Sequence, residues 1–225
     1  MSASVIHNFN RSGSTSAAIG ALARMMAARD SATHQHAQRV QHYAVALAEE
    51  IGIRDDRTLQ AIEVGALLHD IGKLGVPDSL LAKPGPLTPA EYERVKQHSA
   101  IGADLLSTIN FPGPLSLVVR HHHENWDGSG YPDGLRGENI PIGARVLAVA
   151  DCYDALTSDR PYRAALPHCS AASMLAERSG SMYDPQIATA FLSIIQRLLS
   201  SRVSVPKPPS PPRGRIPWPL NAGAV

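Results

Sequence analysis

Five short stretches of the chain place histidine and aspartate where they could hold metal ions. They are His36 in HQHAQRV, His69-Asp70 in LLHDIGK, His98 in VKQHSAIGADLL, His121-His122-His123 in VVRHHHENWDGSGYPDG, and Asp151 in LAVADCYDAL. A carboxylate inside an apolar run such as the last is costly to bury unless it is paired or holds a cation. Imidazole and carboxylate without thiolate suit mid-series divalent metals and argue against a structural zinc knot. Together the five segments supply enough nitrogen and oxygen donors for two metals that share a bridging carboxylate. The weight lies in the whole set, because an HD pair often arises by chance and any single histidine can be a satisfied core residue.

Cations accompany these donors. Lys73 follows Asp70 by one turn, where two metal ions would repel it unless an anion such as phosphate lies between them. Arg160 and Arg163, in TSDRPYRAA, carry guanidinium forks that match phosphate oxygens or could pair with Asp154 and Asp159. Asp127-Gly128-Ser129-Gly130-Tyr131-Pro132 follows the triple histidine. Its glycines allow backbone turns that side chains would block, so this loop is expected to fold beside the metals and shape a substrate pocket.

The elements that must position these groups read as helices. Hydrophobic residues make up 44% of the 225, with only 5% aromatic, which favours packed helices over strands. Val40, Tyr43, Ala44, Leu47, Ala48 and Ile51 recur at helical spacing, and Gly52 closes that helix. Asp55 or Asp56 caps the next, whose stripe of Leu59, Ile62, Ala66 and Leu67 ends near His69-Asp70. Thr88, Pro89 and Glu91 form a capping box and first-turn proline. A long apolar helix, IPIGARVLAVADCYDALT, follows the glycine loop, and the last helix starts at Asp184-Pro185. The expectation is an all-α bundle of about six to eight helices over residues 16–200.

Residues 1–15 are rich in serine, glycine and asparagine, and residues 201–225 hold seven of the 18 prolines; both are expected to be unstructured. Only about 20 residues precede the first amphipathic helix, so no receiver, PAS or membrane sensor domain is expected there. Regulation is then assigned to a partner, to substrate level or to metal supply. The formal charge of +1 excludes a general polyanion binder, so DNA is not an expected partner and any phosphate attraction must be local. Two cysteines, Cys152 and Cys169, without a CxxC pattern suit a reducing compartment. With no signal-like start and no apolar run of about 18 residues, the expected location is the cytoplasm.

Taken in order, HQHAQRV, LLHDIGKLGVPDSLLAKPGPLT, VKQHSAIGADLL, HHHENWDGSGYPDGLRGENIPIGARVLAVADCYDALTSDRPYR and GSMYDPQ resemble the HD-GYP family, a subgroup of the HD-domain metal-dependent phosphohydrolases. The likeness covers roughly residues 20 to 198, and its HHExxDGxGYP signature, His122 to Pro132, is long and specific. It implies an HD-domain-like helical bundle that hydrolyses cyclic di-GMP to pGpG, and in some members to GMP, by in-line attack of a metal-bridging water. The implied metal ligands are His36, His69, Asp70, His98, His122, His123 and Asp151, with Asp70 bridging and His121 outside the set. Two ions, iron or manganese, are implied, because members with a third metal have glutamate where this chain has Ala32. Asp70 and Lys73 are the implied catalytic residues. Lys73, Arg160 and Arg163 match positions that contact the dinucleotide, Gly130, Tyr131 and Pro132 would line its pocket, and Asp154 matches a supporting acidic position. A GGDEF cyclase or a regulatory protein is the implied partner. Two rival readings remain: a phosphohydrolase for another cyclic nucleotide, and an idle domain that senses the dinucleotide or docks to a cyclase.

Overall fold

The computed structural model describes residues 13–29, 31–159 and 163–200. Most of the two tails expected to be unstructured, and Arg160, lie outside the described residues. Among the described residues the chain forms nine α-helices and no sheet. They are α1 Gly13–Arg29, α2 Ser31–Glu50, α3 Asp56–Leu68, α4 Asp78–Leu81, α5 Pro89–Ser107, α6 Leu115–Arg120, α7 Ile142–Thr157, α8 His168–Glu177 and α9 Pro185–Ser200. Short 3-10 helices cover Ile71–Gly75 and Gly137–Asn139.

The architecture is the expected all-α bundle, with more helices than the apolar stripes announce. Helix α1, rich in alanine and glycine, has no marked apolar face, yet Ile19 and Met26 are buried in the core. It begins at Gly13, inside the stretch expected to be unstructured. Helix α4 is a single turn, too short to show a period.

Local signals set the other helix ends. Asp55 caps α3 by accepting the Thr58 N–H, while Thr88 and Glu91 exchange the two bonds of a capping box at the start of α5. Helix α2 lies at the centre, packed against α3 and α7. Its Val40, Tyr43, Ala44 and Leu47 meet Ile62 and Ala66 of α3 and Val146, Val149 and Tyr153 of α7 in one core. Tyr43, Tyr153 and Phe191 of α9 meet edge to face with centroids 5.0 to 6.1 Å apart, a favourable arrangement for aromatic rings. No helix among the described residues is long and apolar enough to cross a membrane.

The 3-10 turn after α3 packs directly on α5. A Cβ on Gly72 would lie 1.8 Å from the His98 carbonyl oxygen and 2.5 Å from the Gly102 nitrogen. Only glycine allows this approach, and it brings Asp70 within reach of His98.

Candidate metal centre

The histidines are presented in a common way. His69, His98 and His122 each place Nδ1 against the backbone carbonyl three residues earlier, at Ala66 (2.9 Å), Val95 (2.8 Å) and Val119 (2.6 Å). A carbonyl can only accept, so each Nδ1 carries the hydrogen and each Nε2 keeps a lone pair free for a metal. His36 is oriented by a carboxylate instead: its Nδ1 lies 2.7 Å from Asp154 Oδ2 and its Nε2 lies 3.1 Å from Asp151 Oδ1.

These side chains form two groups of three. His98, His122 and His123 make one, and His36, His69 and Asp151 make the other; within each, the donor atoms all lie within 4.8 Å of one another. Asp70 faces both, with Oδ1 3.8 Å from His98 Nε2 and Oδ2 3.5 Å from His69 Nε2. All seven predicted ligands are therefore brought together, with Asp70 between the groups. Buried polar atoms ordinarily have a hydrogen-bond partner, yet Nε2 of His98 and of His122 are buried without one. Orphaned imidazole lone pairs in a three-histidine group, one of them 3.8 Å from Asp70, fit a divalent cation bound through nitrogen and oxygen.

The electrostatics agree. Burial pushes His98 down to about 4 and His122, aided by the neighbouring imidazoles, to about 3, so both present lone pairs near neutrality. Burial likewise holds His123 well below the usual histidine range. Burial also opposes charge on His36, but bonds to Asp151 and Asp154 outweigh it and hold that imidazole up at about 9, so a cation bound beside Asp151 would take the place of the His36 Nε2 proton. Although burial acts to raise both carboxyls, Asp70 stays ionised through Lys73 and the nearby imidazoles, and Asp151 through His36.

Lys73 Nζ pairs directly with Asp70 Oδ2 at 2.7 Å, which keeps an ammonium at the edge of the centre. Arg163, expected to contact the dinucleotide, and Asp154, expected as a supporting acidic residue of the substrate site, both bond groups of the chain itself. Asp154 is buried, binding His36 and gripped by Arg39 through Nε at 2.5 Å and Nη2 at 2.9 Å. It lies one turn after Asp151 on the same face of α7, so its charge serves the ligand His36 from behind. Arg163 donates through Nη2 to the Ala155 carbonyl at 2.5 Å, at the end of α7 where the helix dipole favours a cation. Arg39, absent from the predicted set, carries one signal in the sequence: it follows His36 by three residues and so shares its helix face.

The loop after the histidines is braced from behind. Glu124 is buried and accepts the N–H groups of Asp133 at 2.7 Å and Leu135 at 3.1 Å. Asp133 in turn holds the fork of Arg120, at 2.7 and 2.8 Å, and His121 Nε2 at 2.9 Å. His121, Glu124 and Asp133 form a third cluster of potential ligands, but their oxygens are already bonded to these groups. A Cβ on Gly130 would lie 2.2 Å from the Asn125 nitrogen, so glycine lets the loop fold back on itself. Tyr131 is thereby stacked on His123, with centroids 4.8 Å apart at 28°, and Pro132 follows through a cis peptide bond.

The family model described as "HD domain" matches residues 20–187. A cyclic di-GMP phosphodiesterase of Thermotoga maritima is 45% identical over 169 residues, covering 74% of this chain and 45% of that protein. The cyclic di-GMP phosphodiesterase response regulator RpfG of Xanthomonas campestris pv. campestris is 44% identical over 173 residues, covering 76% of this chain and 46% of its own length. The chain thus spans about half the length of these relatives. Among solved structures, the HDG"Y"P protein Bd1817 of Bdellovibrio bacteriovorus superposes with a TM-score of 0.59 at 25% identity, over 73% of this chain and 52% of that one.

Proposed function

The chain belongs to the HD domain family, and from that membership we propose that it is a cytoplasmic metal-dependent phosphodiesterase that opens cyclic di-GMP to pGpG, with GMP as a further product. The observation that carries this reading is the pair of three-donor groups flanking Asp70, with the buried, unpartnered Nε2 atoms of His98 and His122. Relatives named cyclic di-GMP phosphodiesterases at 44 to 45% identity support the choice of substrate.

His36, His69 and Asp151 would hold one cation, His98, His122 and His123 the other, and Asp70 would serve both. When bound, two such ions, iron or manganese on this all-nitrogen-and-oxygen set, supply Lewis acidity that makes water nucleophilic near neutral pH and charge that steadies phosphoryl oxygens. The chain's own side chains do the rest. Asp70 stays ionised beside Lys73, and Lys73 sets an ammonium where negative charge grows on the phosphoryl oxygens during in-line displacement. Asp154 and Arg39 hold His36 in one orientation. Tyr131, backed by His123, forms a wall on which the substrate lies.

The test is turnover of cyclic di-GMP by the purified chain, anaerobically with Fe(II) or with Mn(II), following pGpG and GMP. Wild type is expected to produce pGpG and Asp70→Ala to produce none. Tight binding of the dinucleotide without hydrolysis, across all first-row metals, would replace the enzyme with a sensing module.

A further inference from the structure

The site continues into a face that the metal chemistry leaves unused. Tyr92, Glu93 and Lys96 occupy the part of α5 that precedes His98. Lys96 Nζ stands 5.4 Å from the ring centroid of Tyr92 and 5.4 Å from that of Tyr131. Tyr131 stacks on His123 and lies 6.5 Å from the His98 ring. An unbroken run of contacts therefore leads from the candidate ligands to Tyr131, Lys96 and Tyr92. Lys96 also bonds Glu93 Oε1 at 2.6 Å, with the two side chains 24% and 65% exposed. With its carboxylate open to solvent, this pair contributes little to stability and can exchange partners with a ligand. The tyrosine faces keep the ammonium in place through cation–π attraction.

A cyclic dinucleotide with one phosphate at the metal centre must lay its bases against the adjoining walls. Guanine presents O6, an acceptor, beside the donors N1–H and N2–H, whereas adenine presents a donor, N6–H, beside the acceptor N1. A cation next to a carboxylate matches the guanine edge and opposes the adenine edge. The carboxylate also disfavours a second phosphate at the same place. We propose that Tyr92, Glu93 and Lys96 form a guanine-recognition subsite. Tyr92 gives a stacking face, Lys96 donates to O6, and Glu93 accepts from N1–H and N2–H. This assignment rests on the cyclic-dinucleotide reading above and names the side chains that choose between its purines.

The experiment measures kcat/KM for cyclic di-GMP and cyclic di-AMP side by side on the metal-loaded full chain, and the Kd of each by calorimetry. Lys96→Met is expected to lower the preference for cyclic di-GMP over cyclic di-AMP by about tenfold or more, in line with the loss of one good base-edge contact. Glu93→Gln shifts the preference the same way, and Lys96→Arg, which keeps the cation, restores it. Equal losses on both substrates in Lys96→Met would overturn the subsite, since they would mark a phosphate contact or a disturbed α5. Unchanged values on both would overturn it as well, leaving an ordinary surface ion pair. If wild type hydrolyses neither compound, the phosphodiesterase reading fails by itself, and the Kd ratio alone then decides the subsite.

Discussion

His36 shows how much of this centre depends on groups that never meet the substrate. Its Nε2 can serve a cation only while Nδ1 is held, and Asp154 holds it at 2.7 Å while Arg39 fixes Asp154. Supporting carboxylates of this kind typically matter 10- to 100-fold in metal affinity. Asp154→Asn is therefore expected to weaken Mn(II) binding by about that factor in calorimetry. It should also lower the melting temperature, because Arg39 would be left buried against a neutral partner. An unchanged affinity would mean that Asp154 serves Arg39 alone. The residue types of the donors were legible in the sequence, since HD, triple histidine and an aspartate in an apolar run stand out locally. The partner of Asp154 was not, because His36 lies 118 positions away along the chain.

Between elements, the tight packing of the 3-10 turn on α5 sets the distance between Asp70 and His98. Gly72→Ala would drive a Cβ against backbone atoms of His98 and Gly102, which cannot yield as side chains do. A cost of at least about 1–3 kcal/mol is expected, visible as earlier unfolding in urea, together with weaker metal binding. The α2–α3 contact carries a separate, pH-dependent load. Burial pushes Glu63 up to about 7 from its ordinary 4.5, with Gln41 Nε2 3.5 Å away as its donor. The folded state then binds more protons than the unfolded state between these values, so this contribution to stability is full below 4.5 and is lost as pH rises through about 7. Glu63→Gln should melt higher than wild type at pH 8 and show no such gain at pH 4; equal melting at pH 8 would remove Glu63 from the account. Most helix ends were readable, because the Asp55 cap and the Thr88–Glu91 box act over three residues. Helix α1 was not, since it is held through Ile19 and Met26 by contacts with other helices.

In the whole molecule, the seven candidate ligands come from α2, the end of α3, α5, the turn after α6, and α7. Binding cations there ties these elements to one another, so loading should stabilise the entire domain. Mn(II) at about 100 times its Kd is expected to add about 2.7 kcal/mol per site, with a melting temperature that climbs with metal concentration and falls back with chelator. Metal analysis should find two ions per chain; three, or a melting temperature indifferent to metal, would overturn this picture. Local spacing along the chain was enough to specify an all-helical fold, the donor-bearing segments and the glycine loop, because periodicity, caps and turns depend on near neighbours, while the choice of His122 and His123 over His121 came from the family resemblance. Packing alone assigned each imidazole its free nitrogen, turned Asp154 toward His36, and set Lys96 between Tyr92 and Tyr131. Those outcomes depend on atoms from distant segments meeting within a few ångströms, and no pattern of near neighbours encodes that meeting.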